Sequence, residues 1–210
     1  MTARYAGASR YTRHYVRTKL RRDPATGAIL ALARRQGGFG AVADLGCGRG
    51  QLALALLLGG GATSIIGLDH DAPSLRAARH AGTGLPARFD AADLSAGPLP
   101  PCDTVLLVDV LYQLPDAAQH DLLARIAAAA RRRLVIRAFD PDCGWRSRFG
   151  RVMEVLNRAL HGRHAASIRP MPLPALRALL ELQGFRVSVM PCWAGTPLPN
   201  VLLLAERGAG

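Results

Sequence analysis

Between Ala41 and Leu58 the chain passes from an apolar run, through a glycine-rich loop, into a leucine-rich segment without proline. Ala41–Leu45 reads as a buried strand that carries an acid, Asp44, near its end. Gly46, Gly48 and Gly50 follow at every second position, and Gln51–Leu58 reads as a helix starting at once. A strand, a tight glycine loop and a helix N-terminus let backbone approach a ligand closely, because glycine accepts positive φ and has no Cβ. This feature commits the chain to an α/β unit with a small-molecule site at the loop.

The glycine spacing narrows the ligand. A dinucleotide fingerprint places its third glycine three residues after the second, so that a pyrophosphate sits on the helix N-terminus. Here the third glycine comes two residues after the second, and Asp44 stands two before the first. A carboxylate at that place repels phosphate and suits a cation. Further acids follow. Ser64–Asp69 reads as a second strand ending in Asp69, 23 residues after Gly46, close to the ~20-residue offset at which such an acid meets ribose hydroxyls. Ala87–Leu94 reads as a third strand and its exit, with Asp93 favoured over Asp90 because Asp93-Leu94 leads into the proline-rich loop. Cys102–Pro115 is an apolar strand with Asp103 at its start and Asp109 at its end, followed by Tyr112.

The segment Asp44-Leu-Gly46-Cys47-Gly48-Arg49-Gly50 resembles motif I of class I S-adenosylmethionine-dependent methyltransferases, and the likeness extends in order over about residues 40–140. It implies that S-adenosylmethionine, which has a sulfonium and an ammonium and no phosphate, is the cofactor. It also implies a cofactor-binding set of Asp44, Gly46, Cys47, Gly48, Gly50, Asp69, His70, Asp93, Leu94 and Asp109. Asp69 would take the ribose and Asp93 the adenine amino group, with Asp109 near the methionine moiety. Cys47 reads as a small packed residue of the loop rather than a reactive thiol.

Strand and helix signals alternate along the core: strands 41–45, 63–69, 87–92, 104–109 and 133–139, with helices 50–58, 73–81 and 116–132. Helices are expected over 4–22 and 25–36 before the loop, and over 152–160 and 173–183 after it. Segments 185–193 and 200–206 read as a closing antiparallel hairpin. The expected fold is therefore α/β: a doubly wound, Rossmann-like, seven-stranded and mostly parallel sheet, in a single domain over 1–210. Residues 1–36 form an N-terminal helical cap in this reading, and 140–170 a helical insertion near the substrate face. The hairpin and the glycine spacing both disfavour an NAD(P)-dependent oxidoreductase.

Charge bears on partners. The 210 residues carry 27 Lys and Arg against 15 Asp and Glu, and Lys19 is the one lysine. Residues 1–24 hold seven cations and one acid, and residues 131–169 hold ten and three, whereas 25–130 are slightly acidic. Arg131-Arg132-Arg133 are expected to close a helix, where cations offset the macrodipole. Arg146, Arg148, Arg151, Arg158, Arg163 and Arg169 have no such role. An acidic acyl carrier protein bearing the acceptor would suit these segments. RNA is the second reading, disfavoured by the lack of aromatic-rich or modular RNA-binding segments.

The acceptor is expected to be a small molecule. Methyl transfer needs chiefly that it be positioned and water excluded, and a base only if it holds its proton at neutral pH. Catalytic candidates are Tyr112, Asp109 and Asp140, and substrate candidates are Tyr11, His14, Tyr15 and Arg146. No Asp/Asn-Pro-Pro-aromatic tetrad closes the fourth strand, which argues against methylation of exocyclic amino groups, and no acid set suggests a divalent metal. The run Tyr15–Pro24 is similar to small bacterial methyltransferases of pigment and lipid (aryl-polyene type) clusters, which implies a phenolic or acyl acceptor. With four scattered cysteines, no secretory signal and no long apolar stretch, the expected compartment is the cytoplasm.

Overall fold

The computed structural model describes residues 1–161 and 169–208. Seven strands form one sheet in the order β3-β2-β1-β4-β5-β7-β6. They are β1 (Ala41–Leu45), β2 (Ser64–Asp69), β3 (Ala87–Ala91), β4 (Cys102–Val108), β5 (Ala130–Phe139), β6 (Phe185–Pro191) and β7 (Asn200–Arg207). The first five run parallel. β7 lies antiparallel between β5 and β6, so the hairpin inserts its last strand into the sheet and leaves β6 at the edge.

The helices are α1 (Arg10–Arg22), α2 (Pro24–Arg35), α3 (Gln51–Leu58), α4 (Ala72–Gly82), α5 (Asp116–Ala129), α6 (Gly144–His161) and α7 (Leu173–Leu182). Apolar residues on the strands alternate between two cores. Val42, Leu106, Val135 and Leu204 face a cluster with α1 to α4. Ala43, Leu107, Ile136 and Leu203 face another with α5 and α7. Both faces of the sheet are therefore covered, as the near-continuous apolar strands require.

Three boundaries depart from the sequence reading. The N-terminal helix is broken: Thr2–Tyr5 form a 3₁₀ turn, and Ser9 caps α1 by accepting from the amide of Thr12 at 3.1 Å. α6 begins at Gly144, eight residues earlier than the pattern suggested, once Ser147 Oγ accepts from the Cys143 amide at 2.9 Å and donates to the Asp140 carbonyl at 2.7 Å. The third departure is a correction. Arg131-Arg132-Arg133 lie in β5 and do not end a helix. Arg133 is buried, donates to the Gly38 carbonyl at 2.7 Å and covers the Phe39 ring. The alanine run keeps its helical preference as far as Ala129, the last residue of α5, and from Ala130 onward pairing with β4, joined from Arg133 by β7, makes the strand.

Two turns orient the helices around the ligand end of the sheet. Asp23 caps α2 by accepting from the Ala25 amide at 3.0 Å, with Pro24 at the first helical position, where its missing N–H costs nothing. Asp71 does the same for α4 through Ser74. β1 has β2 on one side and β4 on the other, so the chain winds away from it in both directions. Open α/β sheets bind ligands at that switch point, beyond the carboxyl ends of the strands.

Candidate functional site

The glycine loop leaves the carboxyl end of β1 and is held there by its neighbour. The amides of Gly46 and Cys47 both donate to the Leu68 carbonyl, at 2.7 and 3.1 Å. Asp69 then clamps the loop from β2: one carboxylate oxygen accepts from the Gly48 amide at 2.7 Å, and the other from the Asp71 amide at 2.8 Å. Two of the glycines have separate reasons to lack a side chain. A Cβ on Gly48, at φ 53°, would point into open space over the site. On Gly50, at φ 71°, it would meet the Phe89 ring at 2.8 Å. Gly50 is thus a packing position, where the helix start presses on β3.

Asp44 is buried at the floor of the same place. Burial, and then the neighbouring Asp69 carboxylate, pushes its pKa from 3.8 to about 7. Burial also pushes the Cys47 thiol well above the thiol range, with Asp44 and Asp69 adding to the effect. Cys47 therefore stays protonated and packed. Two carboxylates on adjacent strand ends, with no lysine or arginine paired to either among the described residues and the exposed His70 ring 3.6 Å from Asp69, form a site of negative potential.

A cavity of about 630 Å³ opens over this floor. Asp44, Gly46, Cys47, Gly48, Asp69 and His70 line one side, and Asp93, Leu94 and Asp109 lie farther round. Of the ten cofactor candidates only Gly50 is outside the lining. The Asp93 carboxylate accepts from the Ser95 amide at 2.8 Å and hydroxyl at 2.7 Å, which holds its pKa below the usual carboxylate range.

The opposite wall was not evident from the sequence. Lys19 of α1, Asp23 of the α1–α2 corner, Asp109 after β4 and Arg137 of β5 meet as a network in which each cation bridges both acids. Lys19 Nζ lies 2.8 Å from Asp23 and 3.5 Å from Asp109, and Arg137 lies 3.0 Å from Asp23 and 2.9 Å from Asp109. Burial alone would raise the Asp23 carboxyl, but Arg137 and Lys19 outweigh it and hold the carboxyl low. Asp109 has φ 61°, the only positive value outside glycine among the described residues. Such backbone costs about 1–3 kcal/mol unless its surroundings impose it. Here they do: Lys19, Arg137 and the Tyr112 hydroxyl hold the side chain, and Gln113 Nε2 donates to its carbonyl. Arg137 reads in the sequence as one more cation of a basic segment, and nothing local marks it as a partner of residues 114 and 28 positions away.

The catalytic and substrate candidates separate. Tyr112 donates to Asp109 at 3.0 Å, and burial together with that carboxylate pushes its phenol far above its ordinary pKa. It is a proton-holding anchor and is unsuited to be a base. Asp109 lines the cavity with its carboxylate engaged on both oxygens. Asp140 lies outside the lining, where it turns the chain toward α6 by accepting from the Asp142 amide at 2.9 Å. Tyr15 is the one substrate candidate that reaches the cavity. Tyr11 is exposed and stacks with Tyr15 around Arg49, whose guanidinium lies 5.3 and 4.5 Å from the two rings. His14 lies on the outer face of α1 with Arg13, Arg17 and Arg21, around a separate open cavity of about 670 Å³. Arg146 sits between the Trp145 and Trp193 rings at 4.9 and 5.1 Å and donates to the Thr196 carbonyl at 2.7 Å. Arg163 lies outside the described residues.

Arg49 was also missed as a joint. It carries the cation–π stack, its Nε contacts Thr12 at 3.4 Å, and its carbonyl accepts from the buried Tyr5 hydroxyl at 2.7 Å. The N-terminal cap is therefore fastened directly to the glycine loop.

Residues 42–133, which contain the loop and all three acids beyond it, match the methyltransferase domain family. That match spans β1 to the start of β5. No curated protein matches the sequence. Among solved structures, magnesium protoporphyrin IX methyltransferase from Synechocystis PCC 6803 with bound SAH superposes with a TM-score of 0.71 at 21% identity, covering 95% of this chain and 89% of that one. An O-methyltransferase family protein from Burkholderia thailandensis gives 0.71 at 17% identity, over 99% of this chain and 62% of that one. Human N-acetylserotonin methyltransferase in complex with SAM gives 0.64 at 23%, over 88% and 52%. At these identities the likeness is one of fold.

Proposed function

We propose that this domain binds S-adenosylmethionine at the glycine loop and transfers its methyl group to a small-molecule acceptor. The observation that carries the proposal is the pair Asp44 and Asp69 on the cavity floor, an anionic site beside a backbone that can be approached closely. A ligand with an ammonium and a sulfonium relieves the repulsion between these groups, whereas a phosphate increases it. Structural neighbours crystallised with SAH and SAM support the choice. In this reading Asp69 accepts from the ribose, Asp93 and Leu94 border the adenine, and Asp44 and Asp109 face the methionine end.

The acceptor enters against the wall of Tyr15, Lys19, Asp109 and Gln113. Methyl transfer is an in-line displacement on carbon, and positioning alone supplies as much as ~7–11 kcal/mol when the reacting atoms are aligned. Tyr112 and Asp109 act here as positioning groups, and the cap joined at Arg49 keeps water out. The finer reading is an acyl or phenolic acceptor delivered on an acidic carrier protein, for which the uncompensated cluster Arg13, His14, Arg17 and Arg21 is the support.

Calorimetry with S-adenosylhomocysteine against NADH tests the cofactor. Micromolar binding of the former, weakened at least tenfold in Asp69→Ala, is expected; absence of binding overturns the proposal. Salt-sensitive binding of acyl carrier protein, lost in Arg17→Glu, supports the carrier reading. Binding of RNA in its place moves the acceptor to RNA.

A further inference from the structure

We propose that α6 is a membrane-surface helix, which seats this domain on a bilayer rich in anionic lipid. Ser147 and Gly150 turn inward: Ser147 is 1% exposed, and a Cβ on Gly150 would run into the Phe139 ring at 2.6 Å. The opposite face carries Trp145, Phe149, Val152 and Met153, at 64, 38, 57 and 44% exposure. Their spacing of four, three and one residues puts all four side chains on one stripe of a helix. Leu156 and Leu160 continue the same spacing in the sequence.

Single exposed apolar residues are ordinary, but a contiguous apolar stripe marks an interaction surface. The charges beside it indicate which kind. Arg146 and Arg148 occupy the two flanks of the stripe, and the sequence of α6 carries four arginines against one acid, Glu154. An apolar stripe with an aromatic at its end and arginines along its margins is the pattern of a helix lying in the headgroup layer. Trp145 is suited to that depth because its ring is apolar and its N–H polar. Arg146, stacked between Trp145 and Trp193, presents a cation at the same level. No helix among the described residues is long and apolar enough to cross a membrane, so the contact is one of surface.

The placement also has a consequence for access. α6 follows the carboxyl end of β5, and β5 is parallel to β4 and β1. Docking through α6 brings to the bilayer the end of the sheet on which the glycine loop lies. The inference does not depend on the identity of the cofactor or acceptor.

The test is co-sedimentation with phosphatidylcholine vesicles with and without phosphatidylglycerol, together with Trp145 emission in a Trp193→Phe background. Binding to the anionic vesicles is expected, with a blue shift of Trp145, reversal by salt, and at least tenfold weaker binding to neutral vesicles. Phe149→Asp should abolish it, and Arg148→Gln should weaken binding to anionic vesicles about fivefold, the effect of one interfacial arginine. Both side chains are exposed, and circular dichroism and the thermal midpoint show whether each variant is folded. The inference is overturned if the protein ignores anionic vesicles, or if folded Phe149→Asp binds as well as the parent. It is equally overturned by a dimer that Phe149→Asp dissociates, since a second copy would then cover the stripe.

Discussion

Replacing Asp44 by Asn should strengthen the ligand-free fold while weakening cofactor binding, because the carboxylate is buried without a cationic partner. Its pKa stands at about 7 in the fold against 3.8 for an ordinary carboxyl. That rise corresponds to about 4 kcal/mol, a ceiling because water in the cavity screens part of it. The sign follows from the proton. Below 3.8 the side chain is neutral in the folded and unfolded chain alike, and its contribution to stability is intact. As pH rises toward 7 the unfolded chain ionises freely while the folded one must keep its proton or bury a charge, so stability is lost. Asp44→Asn removes that loss. Urea denaturation of the ligand-free protein should show the variant more stable by about 1–2 kcal/mol at pH 5 and by up to about 4 kcal/mol at pH 8. Calorimetry should show the opposite trend for S-adenosylmethionine. Affinity of the parent should fall roughly tenfold per pH unit below about 7, as the carboxylate that faces the cation is protonated. The variant should bind weakly at every pH. A variant no more stable than the parent at pH 8, or one that keeps the parent's pH slope in binding, would refute the claim that Asp44 is an uncompensated buried acid.

Three further outcomes follow from the wall and the core. Arg137→Met should cost about 3–5 kcal/mol in denaturation, since Asp23 and Asp109 are left with Lys19 alone, and Arg137→Met with Asp109→Asn should recover part of it. Tyr112→Phe should lower kcat less than tenfold, because a phenol that donates to Asp109 is not a base; a loss of 10²–10⁴-fold, the range for general catalysis, would restore it to that role. Phe89→Ala should cost about 3–5 kcal/mol, with a parallel loss of cofactor affinity, because the ring fills the space left by Gly50, Gly67 and Gly82 and so sets the loop against β3.

Legibility tracked how local each cause is. Strands β1, β2 and β4 and the glycine loop are written in short runs: apolar residues buried on both faces, then glycines that only one backbone geometry can use. Nine of the ten cofactor candidates come to one cavity for the same reason, since each acid stands just beyond a strand and the parallel order brings strand ends together. Arg131-Arg132-Arg133 misled because cations suit a helix end and an edge of β5 equally, and sheet pairing decided between them. Asp140 and Arg146 lie outside the cavity lining because a position after a strand says which end of the sheet a residue occupies, but not whether its side chain turns inward. His14 likewise lies outside that lining on α1, where one residue of offset separates it from the cavity face of Tyr15.

The sequence by itself determined where backbone can be approached closely and which charges surround that place. Glycines at every second position depart from the spacing of a pyrophosphate cradle, and carboxylates at successive strand ends favour a cation; both follow from covalent chemistry and spacing. Only the tertiary structure decided the wall that faces that ligand. Lys19, Asp23, Asp109 and Arg137 come from four separate segments, and no periodicity records that their charges cancel one another. Burial makes that cancellation necessary, because an unpaired charge there would cost more than any of these segments could supply.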